Sequence, residues 1–438
     1  MQFNEKDVRI KFGVISDVHI TDDPQGQTTL YTAKALKMLK EKAGGKLDCL
    51  AIPGDLTQWG RPAQCEMFNK VFSENLDAKE TPLIYCSGNH DNFVNVYDKA
   101  GLELFEYRMP KLIDPANFAK DISKDAPLNC RHAVVNGIHF LCVNASDYVV
   151  PNKPYTPEVV AWFEENLALA EEQDPGMPII VLSHISVTNT VCGSNFNTGY
   201  YLNLMWHDQA LRSVLEKHPQ IIYISGHLHY SANGADSIMQ DGFTAINCPP
   251  IGYLVTDFGF YNLQKGIGAI PEEATDHPAG LLIEVDGNGT AKVTRYDFGL
   301  EQQIREPWVV PNPVTSGETP YSLHRRNIAP ADFPVKDLAV KLQPTTEGKA
   351  NLSIDFSAAT CDTDIFFYEV ELIKDKVVYD IRRYMSDYHK FAKIEDCAKQ
   401  IHIDCGEVET GKEFWVAVTP YDIWRNPGVT ERVMLQNL

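Results

Sequence analysis

Short apolar runs, each followed by glycine or a polar side chain, alternate with segments of helical spacing in the first part of the chain. Residues 8–16, 49–53 and 83–86 are apolar enough to predict buried strands. Residues 29–42 and 63–75 lie between these runs and carry apolar side chains at the spacing of a helix. Strands that alternate with helices in this way predict βαβ units and a largely parallel central sheet.

The same alternation continues further along the chain. Residues 157–172 have helical spacing, and residues 179–183 and 221–225 are continuous apolar runs that predict buried strands. Asn-Gly at 136–137 and Asp-Gly-Asn-Gly at 286–289 each separate two apolar runs, which is the pattern of a β-hairpin. We therefore expect one α/β domain over residues 1–300.

The pattern changes after residue 300. Prolines recur through residues 301–334, which are polar and predict a linker. Residues 335–438 alternate apolar and polar positions in short runs, as expected for an all-β sandwich domain. The stretch FWVAVTPYDIWRNPG at 414–428 resembles the last strands of fibronectin type III domains. This resemblance implies a fibronectin III/Ig-like fold for the C-terminal domain.

Composition and charge exclude several classes of function. The 438 residues carry a formal net charge of −20, and the acidic residues are spread along the whole chain. A protein of this charge lacks the basic surface that binds a nucleic-acid polymer or an anionic membrane. No apolar run reaches the roughly 18 residues of a membrane span. No signal peptide is visible, which predicts a cytoplasmic protein, although a strand that begins so near Met1 also fits export with a trimmed leader.

Five short motifs follow predicted strands, always at the end of the apolar run. Because ligands of α/β sheets bind at the carboxyl ends of parallel strands, we expect these motifs to converge. Carboxylate, amide and imidazole donors together suit manganese, iron or zinc. Two such ions about 3.5–4 Å apart form a known type of catalytic site if one carboxylate is shared. The motifs are Asp17-x-His19, Gly54-Asp55, Gly88-Asn89-His90-Asp91, Ser183-His184 and Gly226-His227-Leu228-His229.

In this order the five motifs resemble those of the calcineurin-like metallophosphoesterase superfamily, and no ligand of the pattern is missing. The resemblance covers about residues 8–300. It implies a β-sandwich core flanked by helices (αββα) and two divalent or trivalent metal ions. By position, it places Asp17, His19, Asp55 and His229 on the first ion and Asp55, Asn89, His184 and His227 on the second.

A mechanism follows from these charges. Two cations lower the pKa of a bound water, and the resulting metal-bound hydroxide attacks phosphorus. His90 is the candidate for donating a proton to the leaving oxygen or for stabilising charge in the transition state. Asp91 is the second catalytic candidate, since it could orient His90, and capping of the following helix is an equally open role. Because the ions hold the phosphate, a small phosphate ester can bind to an acidic protein.

The substrate is predicted from residues 185–206, a long polar segment that follows His184 directly. As a lid it would bring Asn197, Tyr200, Tyr201 and Asn203 to the substrate, and the alternative is a plain surface excursion. The run GYYLN is similar to bacterial cyclic-nucleotide and glycerophosphodiester phosphodiesterases, which favours a phosphodiesterase acting on a nucleotide or another small phosphodiester. The alternatives are a phosphomonoesterase, a nucleotide pyrophosphatase or a binding scaffold without catalysis. For the C-terminal domain we expect packing beside the catalytic domain, and binding of carbohydrate or protein is the alternative.

Overall fold

A computed structural model describes residues 2–92, 113–145, 155–194, 208–263, 270–346 and 348–436. The chain forms two units. The first comprises residues 1–232, 237–256 and 273–324, and the second comprises residues 233–236, 257–272 and 325–438.

Twelve strands and five helices occur in the described part of the first unit. The helices are α1 (Gln27–Lys42), α2 (Pro62–Asn75), α3 (Pro157–Gln173), α4 (Gln209–Leu215) and the short α5 (Pro313–Ser316). The strands are β1 (Val8–Val14), β2 (Cys49–Pro53), β3 (Leu83–Cys86), β4 (Arg131–Val135), β5 (Ile138–Cys142), β6 (Ile179–Ser183), β7 (Ile221–Ser225), β8 (Ile238–Gln240), β9 (Thr244–Asn247), β10 (Ala279–Asp286), β11 (Ala291–Asp297) and β12 (Gln302–Val310).

These strands form two mixed sheets of six strands each. The orders are β12-β11-β10-β1-β2-β3 and β4-β5-β6-β7-β9-β8. Strands β1, β2 and β3 are parallel in the first sheet, as are β5, β6, β7 and β9 in the second. The prediction of one largely parallel sheet is wrong, because antiparallel hairpins add strands to both sheets and the chain begins a second sheet after β3.

The two sheets pack face to face, with helices outside. The rings of Phe12 on β1 and Phe140 on β5 meet edge to face at 5.1 Å in the apolar layer between the sheets. Helices α1 and α2 bury Leu39 and Phe68 against the outer face of the first sheet, and α3 buries Phe163 against that of the second. Burial of such side chains is the main stabilising term in folding. The expected αββα architecture is confirmed.

The second unit contains seven strands, all antiparallel, in two sheets with the orders β13-β14-β17 and β16-β15-β18-β19. Phe356 and Tyr368 meet edge to face at 5.0 Å between the sheets, so the unit is the expected all-β sandwich. The strands are β13 (Ala339–Thr346), β14 (Lys349–Ser357), β15 (Ile365–Lys374), β16 (Val377–Met385), β17 (Gln400–Glu409), β18 (Glu413–Asp422) and β19 (Glu431–Gln436).

The boundary between the units differs from the sequence-based expectation. Residues 301–334 are not a continuous linker, because β12 occupies their first part and pairs with β11. The second unit also takes in two segments from earlier in the chain. Arg425 holds both, since its guanidinium donates to Asp236 at 2.7 Å and to Asp257 at 3.2 Å.

None of the helices in the described residues has the length and the apolar composition that a membrane span requires.

Candidate metal centre

The five sequence motifs lie at strand ends in the first unit. Asp17 follows β1, Asp55 follows β2 and Asn89 follows β3 in the first sheet. His184 follows β6 and the pair His227 and His229 follows β7 in the second sheet. Asn89 is half-buried, and the other six side chains are almost completely buried. Each sheet therefore contributes part of one buried group of donors.

The first donor set consists of two carboxylates and two imidazoles. One ligand atom from each of these side chains lies within 4.8 Å of the others, as expected for residues that surround a single ion. His229 Nε2 lies 3.1 Å from Asp17 Oδ1 and 3.2 Å from His19 Nε2. Oxygen and imidazole donors in this arrangement fit a divalent cation. The set is Asp17, His19, Asp55 and His229.

A second donor set lies on the other side of Asp55. His184 Nε2 is 3.3 Å from Asp55 Oδ2, 3.0 Å from Asn89 Oδ1 and 3.2 Å from His227 Nδ1. His227 Nδ1 also lies 3.0 Å from Asn89 Oδ1. The same Asp55 Oδ2 is 3.9 Å from His19 Nε2 in the first set. The structure thus brings all seven predicted ligands together, with Asp55 between the two sets.

The backbone at the site adopts conformations that are rare for residues with a side chain. Asp17, His19, Asp55, His227 and His229 all have positive φ, between 48° and 71°. Strained backbone of this kind clusters at functional sites, where the surrounding structure enforces it. The strain indicates that the fold positions these donors at a cost in local backbone energy.

Two motif glycines allow the donors to approach each other. A Cβ atom on Gly54 would lie 2.3 Å from His184 Nδ1, and one on Gly88 would lie 2.1 Å from Asp55 Oδ1. Both distances are far below van der Waals contact. Any larger residue at either position would therefore push a predicted ligand out of place.

Backbone carbonyls set the orientation of two of the imidazoles. His184 Nδ1–H donates to the Pro53 carbonyl at 3.0 Å, and His229 Nδ1–H donates to the Tyr253 carbonyl at 2.8 Å. In both rings Nε2 is then the atom that faces the carboxylates. Outer hydrogen bonds of this kind fix the tautomer of metal-binding histidines.

Burial and charge oppose each other in the titration of the donors. Burial alone would raise the pKa of Asp17, but the neighbouring His229 holds that pKa below its usual value. Burial alone would lower the pKa of His184, but Asp55 raises it to about 9. Burial lowers the pKa of His19 and of His227 to about 3. Without a cation, His184 therefore carries the proton that offsets the carboxylates, and a cation has to displace it.

Comparison with protein-family models agrees with this geometry. The calcineurin-like phosphoesterase model matches residues 10–231, half of the chain. The chain belongs to the calcineurin-like phosphoesterase family. The matched residues contain all five motifs and end shortly after the last of them. The resemblance inferred from the motifs is therefore confirmed. The buried Asp and His residues of this chain are suited to divalent metal ions.

The solved structures that resemble this chain have low sequence identity to it. A purple acid phosphatase from yellow lupin (Lupinus luteus) seeds is 13% identical, with a TM-score of 0.47, over 69% of this chain and 53% of that one. A 5'-nucleotidase precursor from Thermus thermophilus is 11% identical, with a TM-score of 0.35, over 69% of this chain and 54% of that one. The chain spans about half the length of these two proteins. No curated protein matches it significantly.

The two predicted catalytic residues have different surroundings. The His90 backbone N–H donates to Asp55 Oδ1 at 2.8 Å, and its ring packs edge to face on His19 at 4.4 Å. The buried Asp91 carboxylate instead accepts hydrogen bonds from the backbone and hydroxyl of Thr57, from Tyr85 and from Gly88. Asp91 therefore ties together the two loops that carry Asp55 and Asn89.

Other residues at the site were not found from the sequence. The Tyr253 ring lies 4.3 Å from that of His229, and the Trp59 ring lies 6.3 Å from that of His90. A single tyrosine or tryptophan matches no ligand pattern, so no sequence signal indicated them. The predicted substrate residues Asn197, Tyr200, Tyr201 and Asn203 lie outside the described residues.

Proposed function

We propose that this protein is a binuclear-metal phosphohydrolase, and more specifically a phosphodiesterase for a nucleotide or another small phosphodiester. The observation that supports the reaction class is the position of Asp55 Oδ2 between two donor sets, 3.3 Å from His184 and 3.9 Å from His19. A carboxylate shared between two groups of oxygen and imidazole donors is what a pair of neighbouring ions requires.

Each donor set has a defined task in this proposal. The first set, with Asp17, His19, Asp55 and His229, holds one ion, and the second set, with Asp55, Asn89, His184 and His227, holds the other. When bound, the ions supply positive charge for the phosphate oxygens and lower the pKa of a water molecule. Six of the seven donor side chains are almost completely buried, and charges interact more strongly where they are shielded from bulk water.

His90 is the proposed proton donor. Its Nδ1–H donates to the Gln58 carbonyl at 3.0 Å, so Nε2 is the atom at which the ring gives up or takes a proton. Its backbone is held by Asp55, which keeps the ring next to the donor sets. In this role His90 protonates the leaving oxygen as the ester bond breaks.

The preference for a diester rests on the sequence run GYYLN at 199–203, which is similar to phosphodiesterases of the superfamily. A phosphomonoesterase or a nucleotide pyrophosphatase would use the same donor sets. Diester and monoester substrates differ in charge. Because of its second ester group, a diester carries one negative charge near neutral pH, whereas a monoester carries about two.

Turnover of a chromogenic diester and of the matching monoester by metal-reconstituted protein tests this proposal. We expect hydrolysis of both, with the larger kcat/KM for the diester, and no hydrolysis by Asp55→Ala. Asp286→Ala is the matched control, since Asp286 is a buried carboxylate at the end of β10, outside both donor sets. If protein with two bound ions hydrolysed neither substrate, the reaction class would be refuted. A preference for the monoester would refute only the diesterase assignment.

A further inference from the structure

Trp59 is an exposed aromatic residue at the edge of the candidate metal centre. Its side chain is 39% exposed, although tryptophan is usually well buried. Its ring centroid lies 6.3 Å from that of His90, with an angle of 46° between the ring planes. A large apolar surface therefore faces solvent next to the residue proposed to protonate the leaving group.

The loop that carries Trp59 is firmly held. The Trp59 backbone N–H donates to Gln64 Oε1 at 2.9 Å, and the Gly60 N–H donates to Thr57 Oγ1 at 2.9 Å. Thr57 in turn donates to the buried Asp91 through both its backbone N–H and its hydroxyl. Because these bonds already order the loop, a ligand that contacts the indole would lose little conformational entropy in ordering it.

Aromatic rings continue from Trp59 into the site. His90 contacts His19 at 4.4 Å between centroids, and His19 lies 5.4 Å from Tyr253. The row thus begins at the exposed Trp59 and ends at the half-buried Tyr253, beside the first donor set. Flat rings with an exposed member at one end suit a flat ligand group that stacks on that member.

We propose that Trp59 forms a stacking subsite for a planar aromatic group on the leaving side of the phosphodiester. This inference rests on the proposed function, because it takes His90 as the proton donor to the leaving oxygen. Trp59 lies next to His90, so the group bonded to that oxygen is the one that reaches the indole. A nucleobase and a simple aryl group share the required chemistry, since both present a flat π surface.

Two diesters that differ only in one ring test this subsite. Methyl benzyl phosphate and methyl cyclohexylmethyl phosphate have leaving alcohols of similar acidity, but only the first contains a planar ring. For Trp59→Leu we expect KM to rise about tenfold for the benzyl ester, the size typical of lost aromatic stacking, and less than twofold for the cyclohexylmethyl ester. Trp59→Phe should keep the KM for the benzyl ester close to the wild-type value. Leu300→Ala is the control, because Leu300 has the same exposed fraction, 39%, in the turn between β11 and β12.

A dinucleoside monophosphate as substrate shows whether the subsite binds only a nucleobase or any planar aromatic ring. A loss with Trp59→Leu on this substrate alone assigns a nucleobase, and a loss on the benzyl ester as well assigns any planar ring. An equal rise in KM for the benzyl and cyclohexylmethyl esters, an unchanged KM for both the benzyl ester and the dinucleoside monophosphate, or a change in kcat alone would overturn the subsite. If the wild type hydrolyses neither ester, calorimetric binding of both esters to the metal-loaded protein gives the same comparison. Failure of the proposed function, seen as absent hydrolysis by the wild type, is thereby distinguished from failure of the subsite.

Discussion

Replacing Asp91 by asparagine is expected to destabilise the loops that carry the proposed metal ligands Asp55 and Asn89. The Asp91 carboxylate accepts from Thr57 N–H at 2.8 Å and Thr57 Oγ1 at 2.9 Å through Oδ1. Oδ2 accepts from Tyr85 at 2.7 Å, from Gly88 N–H at 2.9 Å and from Leu56 N–H at 3.3 Å. An asparagine amide has one acceptor oxygen, so its NH₂ group would face at least one backbone N–H in either orientation.

The magnitude follows from that unsatisfied donor. A buried N–H without an acceptor costs about 1–3 kcal/mol, so Asp91→Asn should lower the free energy of unfolding by about that amount. Burial, with the charge of Asp55, raises the pKa of Asp91, and removing this buried charge offsets part of the loss. Gly88 precedes Asn89, and Thr57 is two residues from Asp55. Metal affinity should therefore fall as well.

Urea unfolding of metal-free protein and calorimetric metal titration measure the two effects of Asp91→Asn. Asp286→Asn is the matched control: its buried carboxylate accepts from the backbone of Asn4, Asn288 and Thr290 at 2.9–3.0 Å. The control should lose stability and keep its metal affinity. If Asp91→Asn lost less than about 0.5 kcal/mol of stability and bound metal normally, with only kcat reduced, Asp91 would act through His90 and the reasoning would be refuted.

Three further predictions concern single residues of the site. His90→Ala should keep both ions and lose mainly kcat, measured by metal analysis and steady-state kinetics; loss of metal would contradict its role as a proton donor. Metal-free protein should lose stability as pH rises from about 6.5 to 9, because His184 has a pKa of about 9 in the fold and binds a proton there that the unfolded chain releases. Thermal unfolding from pH 6 to 10 should show this slope in the wild type and a reduced slope in His184→Asn, and equal slopes would be evidence against it. Gly54→Ala should weaken metal binding at least tenfold, because its Cβ would meet His184 at 2.3 Å; unchanged affinity in a titration would show that the loop tolerates the side chain.

Much of the fold and the site could be predicted from local sequence. The strands at 49–53, 83–86, 179–183 and 221–225 have the predicted bounds, because each is a short apolar run that ends at a motif. The convergence of the motifs also follows from the rule that parallel strands direct their carboxyl ends to one edge.

The remaining features depend on contacts between residues far apart in the chain. The division into two sheets is decided by pairing, as between β1 and β10, which lie more than 260 residues apart in the sequence. The role of Asp91 depends on which donors surround its carboxylate, and Thr57 lies 34 residues away. Arg425 likewise holds Asp236 and Asp257 through hydrogen bonds that no local pattern indicates.

The central claim is that one chain holds two metal ions that share Asp55. Metal analysis of purified, reconstituted protein and its variants tests this directly. The account predicts two ions per chain in the wild type, one in Asp17→Ala, one in His184→Ala and none in Asp55→Ala. A wild type that binds a single ion, or an Asp55→Ala protein that keeps one ion at full affinity, would contradict it.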